Sequence, residues 1–105
     1  MISFDKIPDE MRETGKIYAK TVAEYEFLDD MKKVLLSEYA GEKEAKSEAE
    51  RSRLALADPR YRKHLETVQI ARHESLEAKT KLEALSARFE WYRTKNANRR
   101  AEINM

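Results

Sequence analysis

The sequence predicts an all-α protein: a long antiparallel hairpin of two helices, coiled-coil-like, that packs into an oligomer. Three observations lead to this prediction. The 105 residues include only two glycines and two prolines, which is too few turn residues for an all-β fold. Apolar side chains recur at intervals of three and four residues in both halves of the chain, as on one face of a helix. One Asp-Pro pair, Asp58-Pro59, separates the two halves.

The composition limits the class of protein. Charged residues make up 39% of the chain, but 21 basic and 20 acidic side chains nearly cancel, and an aromatic content of 9% argues against disorder. The lack of cysteine excludes disulfides and thiol chemistry. The apolar runs are too short for a membrane span or a signal peptide, so we expect a single-domain cytoplasmic protein without membrane contact. A net charge of +1 gives no overall attraction to nucleic acid, so such binding would need a local patch.

The first half is predicted to be a short arm followed by one continuous helix. Residues 1–7 form the arm, whose isoleucine and phenylalanine side chains would pack against the helices. The helix is expected over residues 8–57. Gly41 costs about 1 kcal/mol relative to alanine and could kink or end the helix, but the alanine and glutamate residues that follow favour its continuation. Its apolar stripe consists of Ile17, Thr21, Tyr25 (or Val22), Leu28, Met31, Leu35, Tyr39, Ala45, Ala49, Ser52 and Leu56.

The chain is predicted to reverse at residues 58–59. Aspartate is a preferred N-cap and proline a preferred first helical residue, so Asp58-Pro59 ends one helix and begins the next. The second helix is expected over residues 60–102. Its apolar stripe consists of Tyr61, Leu65, Val68, Ala71, Leu76 with Ser75, Ala78, Leu82, Leu85, Phe89 and Tyr92.

This reversal predicts a register in which the numbers of facing residues sum to about 117. Leu28 would then face Phe89, and large residues would meet large ones, as knobs-into-holes packing requires. The same register would place Lys16 and Lys20 level with the basic C-terminal residues. It would also place Glu24, Glu26, Asp29 and Asp30 opposite residues 87–93.

Several apolar residues lie outside both stripes, which predicts a second contact face. We expect Phe27, Leu36 and Trp91 to anchor a homo-oligomer. The oligomer number cannot be read from the sequence.

Sites for catalysis or metal binding are not evident. His64 and His73 are nine residues apart and point to opposite sides of a helix, so they cannot share a metal ion. There is no glycine-rich phosphate loop and no grouping of a nucleophile with a base. We therefore expect no catalytic residue, no bound metal and no cofactor, and a protein that is not an enzyme.

The one local feature that suggests a ligand is the C-terminal stretch. Arg88, Trp91, Lys95 and Arg99 follow one another at spacings of three, four and four residues, so they share a helix face. Cations beside an exposed aromatic ring are typical of single-stranded nucleic acid binding. The predicted nucleic-acid site is Lys16, Lys20, Arg88, Trp91, Lys95, Arg99 and Arg100.

Two other interpretations of these charges stay open. The four acidic residues of the first helix could neutralise Arg88 and Arg93 within the molecule. Trp91 could instead anchor a protein interface, since Trp and Arg are enriched at binding hot spots. In that case the chain would be a coiled-coil adaptor, scaffold or chaperone for a protein partner, with no nucleic acid.

The helical pattern also resembles a known group of proteins. The run Glu83-Ala84-Leu85-Ser86-Ala87-Arg88-Phe89-Glu90-Trp91-Tyr92-Arg93, followed by Asn98-Arg99-Arg100-Ala101-Glu102, resembles small helical proteins of tailed phages and prophages. Among them, the chain looks most like phage recombination mediators of the UvsY type, over roughly residues 25–104. The resemblance implies an oligomeric accessory protein in the host cytoplasm that binds single-stranded DNA and helps to load a recombinase.

Overall fold

The computed structural model describes residues 4–104. A 3-10 turn at Phe4–Lys6 leads into helix α1 (Ile7–Glu42), followed by α2 (Glu48–Leu56) and α3 (Pro59–Ile103). The predicted all-α helical hairpin is confirmed, and these residues contain no strand. Residues 1–3 of the predicted arm lie outside the described residues. Within residues 4–104, no helix combines the length and the apolar character that a membrane crossing would need.

The predicted continuous first helix is wrong, because the chain leaves the helix after Glu42. Residues 43–47 are non-helical, and Ser47 has extended backbone angles (φ −149°, ψ 161°). The Ser47 hydroxyl accepts a hydrogen bond from the Glu50 amide at 3.2 Å, and the Glu50 carboxylate accepts one from the Lys46 amide at 3.3 Å. This arrangement closely resembles a capping box, which starts a new helix. Gly41 favours the break, because glycine weakens the last turn of α1.

The chain reverses in this five-residue loop, and the predicted reversal at Asp58-Pro59 is therefore wrong. Residues 21–75 form one compact unit, in which α2 packs back on the last turns of α1. Ala55 of α2 is fully buried. The groove between the two helices is lined by Leu36, Ser37, Ala40, Gly41, Glu48, Arg51, Ser52, Ala55 and Leu56. Asp58-Pro59 thus lies within the returning arm, between α2 and α3.

The observed register in this unit follows from the position of the loop. The His64 ring Nε2 lies 2.7 Å from the Leu28 carbonyl oxygen, so facing residue numbers sum to about 92 instead of 117. The predicted pairing of Leu28 with Phe89 is wrong. By helical periodicity, the acidic residues between 24 and 30 are level with residues 62–68 of α3, which removes the interpretation that they neutralise Arg88 and Arg93.

The buried face of α3 follows an uninterrupted three-four spacing, which includes His64, absent from the predicted stripe, and Ser75, which the stripe gave together with Leu76. His64 and Ser75 lie on this seam, in place of their neighbours Leu65 and Leu76, which are exposed. Ser75 is 7% exposed and Leu76 47%. The buried Ser75 hydroxyl donates to the Arg72 carbonyl at 2.8 Å, so its polar group is satisfied. Phase along the helix, rather than hydrophobicity of the individual residue, decides which side chain is buried.

The second compact unit combines residues 1–20 with residues 76–105. Among its described residues, α1 buries Ile7 and Thr14, and α3 buries Ala78 and Leu85. Ile7 and Thr14 are seven residues apart on α1, and Ala78 and Leu85 are seven residues apart on α3. This spacing corresponds to two layers of an antiparallel coiled coil. Beyond Leu85 the burial declines, and all of residues 97–104 are exposed.

A charged cluster holds the junction between α2 and α3. Asp58 is only 6% exposed. It accepts hydrogen bonds from the Arg60 backbone amide at 2.9 Å, the Arg60 guanidinium Nη2 at 2.9 Å and the Lys43 ammonium at 2.8 Å. Arg60 also pairs with Glu42 and lies over the Tyr39 ring, 4.1 Å from its centroid. The prediction that Asp58 caps a helix starting at Pro59 is confirmed.

These contacts shift the pKa values of the cluster. The Arg60 guanidinium, and then the Lys43 ammonium, hold the pKa of the Asp58 carboxyl well below its usual range. The hydrogen bond from Arg60 also lowers the pKa of Glu42. Asp58 and Glu42 together raise the pKa of Arg60, so it stays charged at any working pH. The cluster therefore joins the loop, α1 and the start of α3 by charge-assisted hydrogen bonds.

Acid should remove the contribution of Asp58 to stability. Because its folded pKa is depressed, the stabilisation is fully present above the unfolded pKa of about 3.9 and is lost as the pH falls toward the folded pKa. Asp58→Asn keeps a capping oxygen and removes the charge, so its deficit relative to wild type should shrink from pH 6 to pH 3. Urea denaturation across this range measures the difference. Asp30→Asn, at an exposed position, is the control. A deficit that stays constant with pH would contradict the assignment.

Candidate nucleic-acid interface

The predicted basic residues of the C-terminal stretch all lie on α3. Arg88, Trp91, Lys95 and Arg99 are exposed and share one face of the helix, named here the cationic face. Trp91 is 57% exposed. Arg100 is one residue further and points about 100° away from Arg99. The helix alone sets the spacing of these side chains.

Trp91 is held in place by its neighbours on α3. The Lys95 ammonium lies over the indole ring, 4.9 Å from the centroid, in cation–π geometry. The Tyr92 ring meets Trp91 edge to face, with centroids 4.9 Å apart and an interplanar angle of 73°. The indole therefore has a preferred orientation while more than half of it remains open to solvent.

A shallow hollow of about 640 Å³ lies beside Trp91. Its lining comes entirely from α3 and consists of Trp91, Thr94, Lys95, Asn96, Asn98, Arg99 and Glu102. The sequence prediction missed Thr94 and the contact between Lys95 and Trp91. The spacing of four residues between that lysine and that tryptophan was a usable signal for the contact. The hollow offers ammonium, guanidinium and amide donors beside one aromatic ring.

The charges of this segment are mostly unneutralised. Residues 88–104 contain five basic side chains and two acidic ones. Arg93 pairs with Glu90 at 3.5 Å. In the part of the chain that the structure describes, Arg88, Lys95, Arg99 and Arg100 form no ion pair. Their positive potential is therefore available to an external anion.

Lys16 and Lys20 do not belong to this site, which corrects the predicted grouping. Continued along both helices, the register of Leu28 and His64 would place Ile7, at the start of α1, level with Leu85. The two lysines are 9 and 13 residues further along α1, in the direction of Leu76 and away from Lys95. Lys16 instead pairs with Glu13 at 3.5 Å. The predicted grouping of Lys16 and Lys20 with the basic C-terminal residues followed from the misplaced reversal.

The predicted interface residues have different environments. Phe27 is 63% exposed. Leu36 is half-buried and lines the groove against α2. Only Phe27 and Trp91 of the predicted set therefore present most of their surface to solvent.

Searches for related proteins add no further constraint to this site. No family model, curated protein or solved structure matches the chain.

Proposed function

We propose that this chain is a non-enzymatic helical protein that binds single-stranded nucleic acid through the cationic face of α3 and Arg100. One observation supports the proposal above all. The face carries three unneutralised cations around a tryptophan that is mostly exposed.

The chemistry of the face favours single strands. Arg88, Lys95 and Arg99 would contact phosphates, and Trp91 would stack on a base, which in a single strand is free to leave its neighbours. Lys95 lies on the indole in the free protein, so it would move from the ring to a phosphate when a base arrives. Stacking and phosphate contacts tolerate any sequence, and we therefore expect little sequence preference.

The biological setting of the proposal comes from the resemblance to phage recombination mediators. In that setting, the protein would be a phage or prophage accessory factor that acts on single-stranded DNA in the host cytoplasm. Loading of a recombinase would require a further protein contact. The cationic face itself accounts only for the nucleic-acid step.

Titration with a labelled single-stranded oligonucleotide tests the proposal. Trp91 is the only tryptophan, so its fluorescence should be quenched as anisotropy of the labelled strand rises. With four phosphate contacts, from Arg88, Lys95, Arg99 and Arg100, the logarithm of affinity should fall against the logarithm of salt concentration with a slope of roughly −3. Duplex of the same length is the control and should bind more weakly. Absence of binding at low salt, or binding that salt does not weaken, would remove the proposal.

A protein partner is the second candidate, because Phe27 and Ile70 are both more than 60% exposed. Under this alternative the chain is an adaptor or scaffold and its charges serve solubility. Trp91→Ala separates the two candidates. Loss of nucleic-acid binding favours the first, and intact nucleic-acid binding with loss of protein association favours the second.

A further inference from the structure

The middle of α1 carries a surface of opposite character to the cationic face. Glu24, Phe27, Asp30 and Val34, named here the acidic flank, are all exposed. Asp29 pairs with Lys32 at 2.7 Å. Within residues 4–104, the structure gives no ion pair to Glu24 or Asp30. The exposed Phe27 therefore lies between two unneutralised carboxylates, and Val34 extends the exposed apolar surface one turn beyond Asp30.

The two surfaces match in spacing. On the acidic flank, carboxylates stand three residues before and three residues after Phe27. On the cationic face, Arg88 stands three residues before Trp91 and Lys95 four residues after it. One helical turn thus separates the aromatic ring from a charge on either side of it in both surfaces, with opposite signs.

We propose that the cationic face of one copy of this chain docks on the acidic flank of a second copy. The occupant is a second copy because the signs and spacings are complementary, and because each surface carries an exposed aromatic ring. Neither surface can pair with itself, since like charges would then face each other. The contact is therefore heterologous and adds copies head to tail, closing into a ring or continuing as a chain.

This inference does not rest on nucleic-acid binding, although the two ligands share a surface. Arg88, Trp91 and Lys95 serve in both contacts, so a bound strand and a docked copy exclude each other. The acidic flank takes part only in self-association. Changes on the flank therefore separate the two activities.

A charge-exchange experiment tests the docking. The flank-reversed variant carries Glu24→Arg and Asp30→Arg, and the face-reversed variant carries Arg88→Glu and Lys95→Glu. Each should sediment as the 12.4 kDa monomer at low salt, because both of its docking surfaces then carry the same sign. An equimolar mixture should associate again, since each variant supplies the surface that the other has lost. Wild type should associate at low salt and dissociate as salt rises.

Controls separate docking from misfolding. All four replaced residues are exposed, and circular dichroism should show unchanged helix content in each variant. Arg72→Glu with Lys79→Glu makes the same charge change as the face-reversed variant, at exposed positions on the side of α3 away from the cationic face, and should leave association unchanged. Phe27→Ala, which alters no charge, should weaken association at least tenfold.

Three outcomes would overturn the proposal. The wild-type chain could stay monomeric at low salt, either reversed variant could associate as well as wild type, or the mixture could fail to associate. The flank-reversed variant should also retain nucleic-acid binding. If this variant binds nucleic acid but does not associate, the loss of self-association is distinguished from a failure of the proposed nucleic-acid binding.

Discussion

Leu85→Ala should destabilise the protein by about 2–5 kcal/mol, the range for removing a large buried aliphatic side chain. Leu85 is 5% exposed and lies on the buried face of α3, in the unit that combines residues 1–20 with residues 76–105. Among the described residues of this unit, Ile7 is the other large aliphatic side chain that is buried, so few neighbours could move to fill the cavity. Urea denaturation at low protein concentration, followed by circular dichroism, measures the loss.

Leu76→Ala is the matched control for this prediction. The same substitution on the same helix should cost about 1 kcal/mol or less, because Leu76 is 47% exposed. The predicted stripe included both leucines, whereas in the structure Leu85 is buried and Leu76 is exposed. Equal destabilisation by the two substitutions would show that the seam does not run through Ser75.

Lys95→Glu combined with Arg99→Glu should lower the affinity for a single strand on the order of 100-fold at low salt. The two changes replace phosphate contacts by repulsion and leave the hydrophobic seam intact. The salt dependence of the remaining binding should also become shallower. Anisotropy titration at several salt concentrations measures both effects.

Lys16→Glu combined with Lys20→Glu is the control with the same change in net charge. These lysines lie on α1 toward Leu76, so affinity should fall only slightly through the long-range field. A loss equal to that of the α3 variant would mean that net charge, and no particular face, governs binding. The comparison therefore tests the corrected location of the site directly.

The sequence was sufficient to predict the helices but not the point of reversal. Two breaks compete in the middle of the chain, and Asp58-Pro59 is the more conspicuous because both residues have strong positional preferences. It does start a helix, as predicted. The actual loop depends on Gly41 together with Ser47 and Glu50, a weaker signal spread over ten residues. Local propensity marks helix ends but does not state whether the chain turns there.

Errors in register followed from that single choice. A shift of the reversal from residue 58 to residues 43–47 changes every cross-helix pair, so the acidic residues of α1 no longer face Arg88 and Arg93, and the register that grouped Lys16 and Lys20 with the basic C-terminal residues no longer holds. The cationic face remained as predicted because Arg88, Trp91, Lys95 and Arg99 lie on one helix. A prediction that depends on one helix is unaffected by an error in topology, whereas a prediction that combines residues of two helices depends on the correct register.

The short helix α2 has a consequence for how the molecule opens. Its nine residues are fewer than the 12–15 that an isolated helix needs to persist in water. It is therefore ordered by the cap at Ser47, the charged cluster at Asp58 and the burial of Ala55. Opening of this segment needs the loss of only those few contacts, so its amide hydrogens should exchange with solvent sooner than those in the middle of α1 or α3.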